Sequence, residues 1–123
     1  MTTGDVETVC NKILMSGVDD WVHIPEAVSF ARDALPESDE QTALPLAVES
    51  VKQLLREGLV QVGKVTNNGF EPWLGSLDVT ERRIDEAAAK ATFPLLFGDL
   101  FWICNTALGD ERGGGLLKAM SQQ

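Results

Sequence analysis

The stretch VKQLLREGLVQVGKVTNNGF, residues 51–70, decides the fold. Its first part completes a helical pattern: Leu44, Val48, Val51 and Leu55 recur at i, i+4, i+7 and i+11, which makes one face of a helix apolar. Thr42 is the expected N-cap of that helix, and Pro45 then falls within the first turn, where a missing N–H costs nothing. Gly58 terminates the pattern, because glycine closes a helix in the left-handed conformation without a Cβ clash. LVQVGKV (59–65) and FEPWL (70–74) are β-favouring runs on either side of Asn68-Gly69, a dipeptide that signals a tight hairpin. Pro72 cannot donate to a ladder, which puts the second of these strands at a sheet edge.

Upstream, Val6, Val9, Cys10, Ile13 and Leu14 share one helical stripe behind an Asp5 cap, and Gly17 ends it. Trp21 to Ile24 is a short β-favouring run. Pro25 suits the first turn of a second helix, with Ile24, Ala27, Val28, Ala31 and Leu35 inward and Pro36 closing it. The polar loop PESDEQT (36–42) gathers Glu37, Asp39 and Glu40. Downstream, Asp78 and Glu81 have capping-box spacing before a fourth helix whose face is Ile84, Ala87, Ala88 and Ala91. Phe93, Leu96, Phe97, Leu100, Phe101, Cys104 and Leu108 follow helical spacing and predict a fifth helix ending at Gly109. The competing reading is a buried strand over Leu100 to Cys104, since a short apolar run with Trp and Ile suits both. The glycines of GDERGGG read as a flexible hinge and residues 110–123 as a flexible tail. The expected architecture is mainly α with a small antiparallel sheet, a single domain over 1–109.

The order helix, short strand, helix, helix, strand, turn, strand over Asp5 to Leu74 resembles a winged helix-turn-helix domain, most closely in residues 51–70. The resemblance implies a third helix ending at Gly58, a wing around Asn68-Gly69, and a sheet completed by Trp21 to Ile24. Asp78 to Leu108 would be an addition that resembles the dimerisation element of many winged-helix regulators. Since the family's usual activity is DNA binding, it also implies Lys52 and Arg56 on the third helix and Lys64 on the wing as contacts to DNA. In this sequence Glu49 and Glu57 offset the first two and Glu71 offsets the third, so both elements carry no net charge.

The whole chain has 123 residues, 44% hydrophobic and 24% charged, which suits one packed core and argues against wholesale disorder. Its net charge is −9, and the first fifty residues hold ten acids and two bases. Such a field opposes phosphate backbones and anionic membranes, so neither nucleic acid nor membrane is the expected partner. No long apolar run precedes Lys12, and Phe93 to Cys104 is interrupted by Pro94, Gly98 and Asp99; a cytoplasmic chain is expected. Cys10 and Cys104 form neither a disulfide framework nor a zinc motif. His23 is the single histidine and has no neighbouring nucleophile motif, so no enzyme is expected. Asp19-Asp20 and the Glu37, Asp39, Glu40 group lack the glycine and terminal glutamate of a calcium loop, and Gly113 to Gly115 lacks the Lys-Ser or Lys-Thr of a phosphate loop. No metal or cofactor is expected.

The residues therefore read as a non-enzymatic, acidic, winged-helix-like module that binds another protein, an inhibitor or immunity-type protein facing a basic partner being one form of it. Glu37, Asp39, Glu40, Trp73 and Trp102 are the candidate contacts, because tryptophan dominates many interfaces and carboxylates select basic surfaces. A homodimer through the 93–108 helix, covering Trp102, is a further expectation. The alternative is a dimeric DNA-binding regulator that uses Lys52, Arg56 and Lys64.

Overall fold

The computed structural model describes residues 2–122. Among these the chain forms α1 (Thr3–Ser16), β1 (Val22–His23), α2 (Ile24–Ala34), α3 (Glu40–Arg56), β2 (Val60–Thr66), β3 (Gly69–Pro72), α4 (Leu77–Ala89), β4 (Trp102–Asn105) and α5 (Ala107–Ser121). The architecture is mainly helical with one antiparallel four-stranded sheet of order β1-β4-β2-β3. Helix α3 lies at the centre, packed against α1, α2, α4 and β2. Its buried residues, Ala43, Leu44, Leu46, Ala47, Val48, Ser50, Val51 and Leu54, extend well beyond one stripe. Ser50 is accommodated because its hydroxyl donates to the Leu46 carbonyl at 2.8 Å and its own carbonyl accepts from the Cys10 thiol at 3.3 Å.

Helix starts differ from the sequence reading wherever a better-placed oxygen competes. Thr2, not Asp5, caps α1; Asp5 is the reciprocal member of a capping box, with Thr2 Oγ1 accepting from Asp5 N and Asp5 Oδ2 accepting from Thr2 N, both at 3.1 Å. Asp39, not Thr42, caps α3, its Oδ1 accepting from Thr42 N at 2.8 Å. The helix therefore begins earlier than Thr42, and Pro45 lies inside it. The hairpin forms as expected, although its tip is Asn67-Asn68: Thr66 pairs with Gly69, which takes φ 98° as the first residue of β3. A two-residue turn followed by a left-handed glycine reverses the chain while keeping the strands' twist.

The largest correction concerns the C-terminal third. Phe93 to Leu108 is not a helix: residues 90–101 are irregular, and β4 follows. Pro94 has no N–H for a helical ladder, and Gly98 and Leu100 take φ 79° and 71°, outside the helical region. The competing strand reading is the observed one, displaced towards Asn105. β4 fills the slot between β1 and β2, pairing Ile103 with both Val22 and Val62 and Trp102 with both His23 and Gly63. The short strand β1 thus joins the sheet through β4 and not directly to the hairpin. The supposed Phe93, Phe97, Phe101 stripe dissolves accordingly, with Phe101 2% exposed and Phe97 82% exposed.

Residues 107–121 form α5, where a flexible hinge and tail were expected. Thr106 caps it, its Oγ1 accepting from Gly109 N at 3.1 Å and donating to the Gly58 carbonyl at 2.8 Å. Gly109 and Gly113, one turn apart, are both buried. A Cβ at Gly109 would collide with the Leu59 carbonyl oxygen, and one at Gly113 with the Leu14 carbonyl oxygen. These glycines are contact points that let α5 approach α1 and the start of the sheet, the role small residues play wherever helices pack closely. No helix among the described residues is long and apolar enough to cross a membrane.

Candidate functional site

Strand alternation sorts the sheet into two faces. Val22, Ile103 and Val62 align across three strands, are buried, and join the helical core. His23, Trp102 and Gly63 are the next aligned row and face the other way. On this outer face the Trp21 ring reaches the hairpin: it lies 6.5 Å from the Phe70 ring and beside Gly69. The irregular segment before β4 lies over the same face. Gly98 N donates to His23 Nδ1 at 3.2 Å, and the His23 ring sits 4.7 Å from Phe97 and 5.0 Å from Trp102. Phe97 and Trp102 meet edge to face at 5.5 Å.

The result is an aromatic surface built from Trp21, His23, Phe70, Phe97 and Trp102, with Trp21 37% and Leu96 66% exposed in addition to Phe97. At one end is an open recess of ≈ 380 Å³ lined by Asp19, Asp20, Trp21, Cys104, Asn105 and Asp110 together with Gly17 and Val18. Asp20 Oδ1 accepts from Trp21 N at 2.7 Å, which holds the start of β1 against this recess. At the other end Asp99 Oδ2 accepts from Leu96 N at 2.8 Å and shapes the turn that carries Phe97.

The candidate residues read from the sequence are dispersed. Glu37 is exposed in the α2–α3 loop at φ 67°. Asp39 is the α3 cap, and the bond from Thr42 holds its carboxyl below the usual carboxylate range. Glu40 Oε1 accepts from Leu95 N at 3.3 Å, anchoring the irregular segment. Two of the three carboxylates therefore have structural partners. Trp73 folds inwards: its ring meets Phe101 edge to face at 5.5 Å, and the Arg83 guanidinium covers it at 4.1 Å. Trp102 alone of this group belongs to the aromatic face.

The cations assigned to DNA are engaged elsewhere. Lys52 pairs with Asp85 at 2.5 Å and its side chain is 14% exposed. Arg56 binds Glu81 at 2.5 Å and lies 3.6 Å from Glu49, partners that raise its pKa. Lys64 faces Glu71 at 4.0 Å. Both acids that hold Lys52 and Arg56 across the helix pair belong to α4, which lies along α3 where a groove-reading helix would need to be bare.

Nucleophilic chemistry has little support in these surroundings. Burial pushes the Cys10 thiol up to about 12 and also raises that of Cys104, so both stay protonated at neutral pH. Burial lowers His23 below its ordinary value, with Glu26 opposing. Among the described residues no group of three or more His, Cys, Asp or Glu is arranged to hold a metal ion.

Trp21, His23 and Phe70 were not recognised as a site from the sequence. A signal was present, since Trp21 and His23 alternate with Val22 and Ile24 as the two faces of a strand do. No family model, curated protein or solved structure matches the chain. The functional reading therefore rests on the side chains themselves.

Proposed function

We propose that this protein is a non-enzymatic binding module with a winged-helix-like core, and that the outer face of its sheet is where another protein docks. The observation that carries the reading is Phe97, a phenylalanine 82% exposed over a cluster of His23 and Trp102. A ring held in this way loses little conformational freedom on binding and presents the rigid apolar area typical of interface anchors. The winged-helix part of the reading is supported by the α1-β1-α2-α3-β2-β3 order and the hairpin after Gly58; the insertion of β4 beside β1 is this chain's departure from the pattern. The DNA-regulator alternative gains nothing from Lys52, Arg56 and Lys64, which spend their charge on neighbouring carboxylates.

Co-purification with immobilised full-length chain, compared with the Phe97→Asp variant, tests the proposal. Phe97 rests on His23 and Trp102 but is 82% exposed, so the variant should stay folded, with a denaturation midpoint close to the wild type's, while losing the wild type's specific partner. Retention of the same partner by both proteins would overturn the reading.

A further inference from the structure

Resting on that reading of the outer sheet face, we infer that its occupant is a lysine- and arginine-rich segment of the partner, seated with its cations over Trp21 and against the aspartates at the ends of the face. Charge complementarity selects this occupant. The recess beside Trp21 is lined by Asp19, Asp20 and Asp110 and by no lysine or arginine, and all three carboxylates are exposed. Asp99 adds a fourth at the Phe97 end. Carboxylates beside an indole face suit a guanidinium or ammonium, which gains from both the ring quadrupole and the ion pair.

The molecule contains an internal precedent. Trp73 receives the Arg83 guanidinium at 4.1 Å, the cation–π contact found among the described residues. Trp102 is flanked instead by His23 and Phe97, and Trp21 by Phe70 and the aspartate-lined recess. The Trp21 ring, 37% exposed, is therefore available to a cation from outside, whereas His23, Phe97 and Gly98 crowd the Trp102 ring. A second copy of the chain is a poor occupant, because a two-fold contact would bring matching acidic surfaces of two molecules, each at −9, together. An acidic partner meets the same repulsion.

A peptide of alternating arginine and serine, titrated into the full chain and followed by amide NMR and tryptophan fluorescence, provides the test; a glutamate–serine peptide is the control. The basic peptide should move the amide signals of Trp21, His23, Trp102 and Cys104, and its affinity should fall with added salt. The triple variant Asp19→Asn, Asp20→Asn, Asp110→Asn should bind about tenfold more weakly, as the loss of several exposed ion pairs implies. Asparagine at 20 retains the acceptor for Trp21 N, so the fold is preserved. Absence of binding by the wild type, shifts confined to the Glu37 to Glu40 loop, unchanged affinity in the triple variant, or self-association through Phe97 that excludes the peptide would each overturn the inference. If the peptide fails while Phe97→Asp still loses its partner, the docking face stands and only the basic occupant falls. Partner retention by Phe97→Asp removes the docking face itself.

Discussion

His23 shows how one side chain ties local chemistry to the surface. Its Nδ1 accepts the Gly98 N–H, which requires that nitrogen to be unprotonated, and its ring is held between Phe97 and Trp102. Burial lowers its folded pKa below the ordinary 6.5, so the unfolded chain binds the proton more readily than the folded one. Stability from this residue is present above pH 6.5, is lost as the pH falls through the folded pKa, and reaches its lower plateau below that value. Urea denaturation should accordingly give a lower midpoint at pH 5.5 than at pH 7.5, and His23→Gln should flatten most of that difference because the chain has no other histidine. An equal pH dependence in the variant would contradict the assignment. At the same scale, the roles of Asp39 and Thr2 were only partly legible: any of several Ser, Thr or Asp residues near a helix start is an acceptable cap, and backbone direction selects among them.

Helix α5 makes the corresponding point for an element. Four glycines in GDERGGG look like a break by propensity, each costing about 1 kcal/mol relative to Ala in a helix interior. Gly109 and Gly113 have a compensating role, since each lies against a backbone carbonyl of another element, whereas Gly114 and Gly115 have nothing within 4 Å of a would-be Cβ. The glycines should therefore divide in opposite directions. Gly114→Ala and Gly115→Ala should each stabilise the protein by up to about 1 kcal/mol, and Gly109→Ala and Gly113→Ala should each destabilise it by about 1–3 kcal/mol through forced displacement of packed backbone. Denaturant midpoints of the four single variants measure this, and a common sign across all four would remove the close-packing account. The small sheet teaches the same lesson. The apolar run around Trp102 and Ile103 reads equally as helix or strand, and only the open ladder edges of β1 and β2 on either side of it require a strand.

For the whole molecule, charge and packing point the same way. The formal charge of −9 opposes a polyanion, α4 covers the side of α3 that carries Lys52 and Arg56, and Lys64 on the β2–β3 hairpin faces Glu71. No retardation of duplex DNA is expected at physiological salt. A sequence-selective shift that steepens with falling salt and disappears in Lys52→Ala, Arg56→Ala, Lys64→Ala would restore the regulator reading.

By itself the sequence determined the elements whose signals are local: the α1, α2 and α3 stripes, the stops at Gly17, Pro36 and Gly58, the hairpin near Asn68-Gly69, and an acidic first half. Each depends on side chains within a turn or two of one another, so spacing alone suffices. Tertiary structure decided the insertion of β4 between β1 and β2, the helicity of α5, the packing of Trp73 between Phe101 and Arg83, and the aromatic face. Those features depend on groups far apart in the chain, such as Trp21 beside Phe70, His23 beside Phe97, and Gly109 against Leu59. Their stabilities come from shared ladders and excluded Cβ volume, which no window of sequence contains until the chain has closed on itself.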